Sequence, residues 1–343
     1  MKNKHLLSVK DLSVSFSTYW GEVKAVRGVS WELNKCETIA IVGESGCGKT
    51  VSIQTVMGLL QKPVGRVVSG SVEFDGIDIL SLSAGQLRDI QGNKMSMIFQ
   101  DPFTYLNPTM RVGEQIIESY RLHHKTAKVV ANERMLEMMR LVSFPEPERN
   151  MKCYPHQLSG GMRQRVMVAM ALICKPKIVF ADEPTTALDV TIQAQIIELM
   201  NLLKEKIDTS IVLITHDLGV VANMAQRIYV MYAGKIVEHG DAKTIFYRPK
   251  HPYTWGLLFS VPRIDANKTG GLDYIHGTPP DLISPPVGCP FAVRCDHAMT
   301  ICAREMPPQY DFDEPKHYAS CWMYHPQIKE KFIELAERKG RRT

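Results

Sequence analysis

At 343 residues, 45 % of them hydrophobic and 22 % charged, the chain is long enough for one sizeable core and a smaller appended module. The net charge of +5 is mild and the basic residues are scattered apart from a terminal "RKGRR", so charge alone does not point to nucleic acid. The apolar run of the N-terminal "MKNKHLLSVKDLS" is too short for a secretory segment. The most apolar stretch, "VMVAMALIC" at 166–174, is about half of the ~18–20 residues that cross a bilayer. A cytosolic chain that meets membrane only through a partner is expected.

In chain order, "ETIAIVGESGCGKTVSIQTVMGLL" at 37–60 passes from a β-branched apolar segment through a glycine-rich turn into an apolar stretch of helical length, predicting strand, loop and helix. "VGEQIIESYRLHH" and "ANERMLEMMRLV" place apolar residues at three- and four-residue spacing and predict a helical insertion, about 103–170. "KIVFADEP" at 177–184 and "TSIVLITHD" at 209–217 are continuous apolar runs with polar ends, the pattern of strands buried on both faces of a parallel sheet. Ligands of such sheets collect at the carboxyl ends of the strands, where these segments carry their charged or glycine-rich residues. After about residue 245 the composition turns to proline, glycine and cysteine, predicting a loop-rich module over 246–325 and a basic helix or tail over 326–343. No internal repeat or heptad run is present.

"GESGCGKT" at 43–50 fits the phosphate-loop pattern with the required strand before and helix after. Its backbone N–H groups, at Gly43, Ser45, Gly46, Cys47 and Gly48, are candidates to surround phosphate oxygens at the start of the helix that Thr50 and Val51 enter. Lys49 offers a point charge to the outer phosphates, and the Thr50 hydroxyl a ligand to Mg²⁺. In "IVFADE" the strand delivers Asp182 to the metal region, and Glu183 is the candidate to polarise an attacking water; the plainer alternative is an acidic pair that caps a helix. These two motifs specify no more than an NTPase with a phosphate loop.

"LSGGMRQR" at 158–165 narrows the reading. In isolation a Ser-Gly-Gly before a helix is an anion-binding N-terminus or a flexible cap. Preceding the aspartate strand at this spacing, Leu158, Ser159, Gly160, Gly161 and Met162 resemble the signature sequence of ATP-binding-cassette proteins. Gln100 in "IFQDP" matches that family's Q-loop, Thr186 to Asp189 in "TALD" its D-loop, and His216 in "ITHD" its switch histidine. Tyr19 and Trp20 in "YWGEVKAV" lie where the family stacks adenine. The resemblance covers residues 6–245. Met162 in place of Gln or Glu, together with "HPYTWGLLFSVPR" at 251–263 and "ADEPTTALDVTIQAQI", is similar to the oligopeptide/dipeptide permease branch. Without the resemblance, the "HPY" segment is a proline-bounded amphipathic helix packed on the cassette.

The resemblance implies an α/β fold for 1–245, with a RecA-like parallel core, a helical subdomain and an antiparallel β edge. It implies a peptide-importer ATPase at the cytoplasmic face of the membrane, using ATP and Mg²⁺, with Thr50, Gln100 and Asp182 at the metal and Glu183, His216 and Gln100 in catalysis. Each ATP would lie between one subunit's phosphate loop and another's signature. The implied partners are a second ATPase subunit, two membrane-spanning permeases and an extracytoplasmic peptide-binding lipoprotein. Import of nickel, a glycoside or another small solute is the alternative within the family. A soluble cassette ATPase acting on nucleic acid is the alternative outside it, and the two cassettes, coiled coil or zinc-type cysteine pairs such proteins carry are absent here.

Eight cysteines in a cytosolic chain argue against a disulfide framework. Cys36, Cys47, Cys153 and Cys174 are dispersed and read as packing residues; Cys36 stands where the family commonly has glycine. Cys289, Cys295, Cys302 and Cys321 cluster in the tail, with gaps that do not match the close pairs of structural zinc. Four thiolates at irregular gaps suit an iron–sulfur cluster. Relatives in the peptide-importer branch can carry a [4Fe–4S] cluster on such a pattern; zinc and reduced thiols are the alternatives.

Overall fold

The computed structural model describes residues 5–186, 189–260, 275–314 and 316–328. The expected terminal helix or tail therefore lies largely outside the described residues. The chain forms two compact units: one mainly from Phe74–Thr215, the other from Ser8–Glu32, Ile39–Glu73 and the residues from His216 on.

In the first unit three short strands pair in parallel, Met95–Ile98 and Ser210–Thr215 flanking Ile178–Asp182, in register Ile98↔Ala181 and Asp182↔Ile214. Every residue of the three is buried, which is why their sequences are continuously apolar rather than alternating. The insertion is helical as its periodicity predicts, with helices Val112–His123, Lys128–Leu141 and Gly160–Leu172. Val112, Ile116, Ala131, Met135, Met138 and Met139 supply its core, and unbranched Met side chains fill the irregular gaps between helices. The apolar run at 166–174 falls in the last of these helices and its C-terminal turn, and no helix among the described residues is long and apolar enough to cross a membrane.

In the second unit, strands Leu7–Thr18 and Gly21–Leu33 join through the two-residue turn Tyr19–Trp20, a length only an antiparallel hairpin accommodates. Strand Gly65–Phe74 lies on the other side of Leu7–Thr18. Strand Thr38–Val42, which leads into the phosphate loop, runs parallel to Arg227–Tyr232, and Lys235–Asp241 returns antiparallel with a bulge between Ile236 and Glu238.

The tail does more than the loop-rich reading anticipates. Tyr318–Ala319 pairs antiparallel with Lys235–Asp241, and Tyr310–Asp311 pairs in turn with Tyr318–Ala319. Two-residue strands are too short to leave a periodic trace. Buried Glu238 draws the segments together, accepting hydrogen bonds from the backbone N–H of Lys250 (2.6 Å) and His251 (2.8 Å) and lying 2.8 Å from His317 Nε2. Helix Pro252–Phe259 starts on a His251 cap whose Nδ1 accepts from the Tyr253 N–H, and no residue of 251–259 is exposed. The "HPY" helix therefore has no exposed residue, with Gly256, Leu257 and Phe259 half-buried and the rest buried, instead of the polar face an amphipathic helix turns to water.

Candidate nucleotide site

The loop at 43–50 has the backbone its glycines imply. Gly43, Gly46 and Gly48 all have positive φ, and a Cβ at Gly43 or Gly48 would collide with the carbonyl oxygen of Met231 or Ala25. Gly48 caps helix Lys49–Val56, so its first N–H groups face the loop. Lys49 is buried, and its Nζ donates to the Gly43 carbonyl at 2.7 Å and to the Glu44 carbonyl at 2.9 Å. Buried Cys47 is pushed up in pKa by desolvation, which the Lys49 ammonium opposes. Ser45 and Gly46 are exposed; Thr50 and Val51 are half-buried at the start of the helix. Tyr19 and Trp20, at the tip of the hairpin, are 94 % and 81 % exposed and meet edge to face at 5.2 Å, leaving aromatic surface available for a base. His216 is exposed at the end of a buried strand, beside Asp217, whose carboxylate caps helix Leu218–Met224.

In the other unit, strand Ile178–Asp182 ends on buried Asp182. Glu183 follows in the left-handed region at φ 46°, a conformation that costs a non-glycine residue roughly 1–2 kcal/mol. Its carboxylate Oε2 accepts from Gln100 Nε2 at 2.9 Å and from the Thr186 hydroxyl at 3.0 Å, and its N–H donates to the Ile214 carbonyl at 2.7 Å. Gln100 and Glu183, 83 positions apart, are thus brought into direct contact. Thr186 as a holder of Glu183 is absent from the sequence reading; the signal was a hydroxyl three residues beyond the acid. Gln164, in the signature helix, was also missed: its side-chain amide donates to the Pro184 carbonyl at 2.6 Å and ties that helix to the acid loop.

Leu158 is buried, while Ser159 is exposed and accepts from the Met162 N–H at 3.3 Å, capping helix Gly160–Leu172. At Gly161 a Cβ would lie 2.9 Å from Ile192 Cγ2, so the signature glycine is where this helix approaches Val190–Ile207. Asp189 caps that second helix through the Ile192 N–H at 2.9 Å. Ala187 and Leu188 of the D-loop lie outside the described residues.

The tail thiols are neighbours. Cys289, Cys302 and Cys321 are buried and Cys295 is half-buried; the Cys289 N–H donates to the Cys302 carbonyl at 2.7 Å, and the Met299 N–H to Cys302 Sγ at 3.4 Å. Burial pushes Cys289 up to about 11 and Cys295 up to about 12, and raises Cys321, each further raised by the charge of the other thiols. Such thiols stay protonated at neutral pH unless a cation draws them into thiolates. The donors are right for a soft metal. Among the described residues, however, no group of three or more His, Cys, Asp or Glu side chains gathers closely enough to hold one.

Comparison with known proteins matches these features. A family model for ABC transporters covers residues 26–186, and one for the oligopeptide/dipeptide transporter C-terminal region covers 237–302, which includes three of the four tail cysteines. The oligopeptide transport ATP-binding protein OppD of Bacillus subtilis is 54 % identical over 340 residues, 96 % of this chain and 95 % of the relative. The dipeptide transport ATP-binding protein DppD of the same organism is 56 % identical over 318 residues, 93 % and 94 % of the two. Escherichia coli OppD is 51 % identical over 92 % of this chain and 93 % of its own length. Among solved structures, a dimeric ATP-binding cassette in a post-hydrolysis state with ADP and Pi aligns at TM-score 0.62 and 26 % identity, covering 69 % of this chain and 98 % of that one. With identity above half across nearly the whole length, this chain belongs to the ATP-binding subunits of the oligopeptide/dipeptide ABC transporters.

Proposed function

We propose that the chain hydrolyses ATP to power uptake of oligopeptides or dipeptides, acting at the cytoplasmic face of the membrane with a second ATPase subunit, two permeases and an external peptide-binding lipoprotein. Family membership supports the ATPase; the observation that carries the catalytic assignment is the pair of hydrogen bonds from Gln100 and Thr186 to Glu183. A carboxylate fixed from two sides in a left-handed backbone has a set direction, as a residue that orients water requires.

In this reading the loop N–H groups of 43–50 and the helix behind them cradle the phosphates, and Tyr19 or Trp20 stacks the adenine. Lys49 leaves the Gly43 and Glu44 carbonyls for the outer phosphate oxygens. Thr50, Asp182 and Gln100 would hold Mg²⁺, which would supply charge neutralisation on the phosphates when bound. Glu183 aligns the attacking water and His216 adds a donor to the γ-phosphate. Leu158 to Met162 serve the nucleotide held by the partner ATPase, and Asp189 lies at that junction. Because Gln100 contacts Glu183 and opens the helical insertion, it is placed to relate γ-phosphate occupancy to a permease-facing surface. The test is Glu183→Gln in the assembled transporter: ATP binding persists while turnover falls by a factor of about 10² or more, and wild-type hydrolysis by that variant removes Glu183 from the role.

By donor chemistry Cys289, Cys295, Cys302 and Cys321 are the residues that would hold a [4Fe–4S] cluster, which would have to draw together side chains that do not close on a metal as they lie. The cluster would supply a cross-link beside the module's small core of Trp255, Met323 and Tyr324. Anaerobic purification tests it: absorbance near about 400 nm with iron and sulfide is expected, bound zinc would reassign the site, and metal-free thiols would end the assignment.

A further inference from the structure

One of the two residues whose carbonyls hold Lys49 is itself held by the tail. Glu44 donates its N–H to the Tyr253 hydroxyl at 2.8 Å, and its carboxylate receives Arg294 in bidentate fashion, Nη1 to Oε2 at 2.6 Å and Nη2 to Oε1 at 2.9 Å. Tyr253 belongs to "HPY", and Arg294, 250 positions beyond Glu44, to the tail motif "CPFAVRC" at 289–295, which opens on Cys289 and closes on Cys295. The Arg294 side chain is 5 % exposed. Its remaining N–H groups reach the His276 carbonyl at 2.8 Å, the Ile275 carbonyl at 3.3 Å and the Tyr232 hydroxyl at 3.1 Å. Phe291, from the same tail motif, packs at 5.3 Å against both Tyr232 and Tyr253. The tail also reaches the hairpin that carries Tyr19 and Trp20, where the Lys24 N–H donates to the Leu282 carbonyl at 2.9 Å and Arg27 Nη2 to the Pro286 carbonyl at 3.0 Å.

A bidentate guanidinium–carboxylate pair fixes orientation as well as distance, and here it fixes a loop residue whose backbone N–H, carbonyl and carboxylate are all engaged. We propose that Arg294 is a positioning residue of the nucleotide site: through Glu44 it sets the phosphate loop, so that the C-terminal module determines nucleotide affinity. The proposal rests on the reading that residues 43–50 bind the phosphates. Removing one partner of a partly buried ion pair frees the other, and a loop left to find its geometry loses affinity through the ordering it must then undergo on binding.

Two readouts on the full-length chain separate this proposal from that reading. The first is amide hydrogen exchange over 43–50 without nucleotide, which needs no nucleotide site. The second is mant-ATP binding, joined to KM and kcat of the assembled transporter. Arg294→Ala is expected to speed exchange in the loop, to weaken mant-ATP binding and raise KM for ATP about tenfold, and to lower kcat less than about twofold. Arg294→Lys restores part of the affinity, since a point charge cannot replace the fork. Glu44→Gln acts in the same direction, and the double variant is no worse than the more damaged single. Should Arg294→Ala fail to fold, Arg294→Lys and Glu44→Gln carry the same comparison. Unchanged exchange and affinity in the Arg294 variants, or independent addition of the two substitutions, overturns the proposal. A wild-type chain that fails to bind mant-ATP overturns the nucleotide reading instead, and loop exchange still reports on Arg294.

Discussion

At Gly48 the left-handed backbone and the Ala25 carbonyl admit no side chain, so the third loop glycine is required by its own surroundings before any phosphate arrives. Gly48→Ala is expected to cost at least about 1–2 kcal/mol, because a positive φ is strained for alanine and the new Cβ meets backbone. Loss of mant-ATP binding with a lowered Tm is the expected pair of results; a variant with wild-type Tm would mean that the turn can rearrange. Glu183 is the opposite case, a side chain kept at positive φ despite the strain, as groups at functional sites are when their surroundings over-determine them. Thr186 contributes to that. Replacing it with Val keeps the shape but removes the hydroxyl that donates to Oε2, and should lower kcat with less effect on KM, read in the same ATPase assay.

The "HPY" helix shows what one capping residue asks of pH. His251 is fully buried and its Nδ1 accepts from the Tyr253 N–H, so the ring must be neutral with that nitrogen unprotonated. Desolvation lowers its pKa from 6.5 to about 4, with the nearby Glu238 carboxylate, itself paired with His317, acting the other way. The folded pKa lies below the unfolded one. Under acid the unfolded chain therefore takes up a proton that the folded chain refuses, and stability falls as pH drops from about 6.5 toward 4, by up to ~1.4 kcal/mol per pH unit for this ring. His239, lowered to about 4 mainly by burial, acts with the same sign. His251→Asn keeps a capping acceptor and removes the titration, so its Tm should fall less between pH 7 and pH 5 than that of the wild type; an identical fall would assign the acid sensitivity elsewhere. This dependence was hidden in the sequence, where "HPY" reads only as a proline-bounded helix. What was legible there is what short-range pattern can encode: the buried strands around Asp182, the glycine loop, the helical insertion. What was not legible depends on distant partners. The two-residue strands of the tail exist because Lys235–Asp241 offers an edge, and Arg294 finds Glu44 across 250 positions with no periodicity to announce it.

At the scale of the whole molecule, the tail combines a cluster of thiols with a brace on the phosphate loop, and the two share one stretch of backbone. Arg294 ends a single 3₁₀ turn, Ala292–Arg294, and Cys295 follows it directly, its N–H donating to the Ala292 carbonyl at 3.4 Å. Cys289, which opens the motif, is tied to Cys302 through its N–H. Arg294 and Cys295 are consecutive residues joined by one planar peptide, so displacement of the Cys295 backbone moves that of Arg294 with it. Cys295→Ser should therefore weaken mant-ATP binding in a chain with Arg294 intact, by about threefold to tenfold, and add little in the Arg294→Ala background, where the connection is already broken. Iron and sulfide measured on the same four samples say whether the change at Cys295 acts through loss of a cluster or through the turn alone. Equal loss of affinity in both backgrounds would separate the thiols from the phosphate loop and leave them a purely local role in the tail.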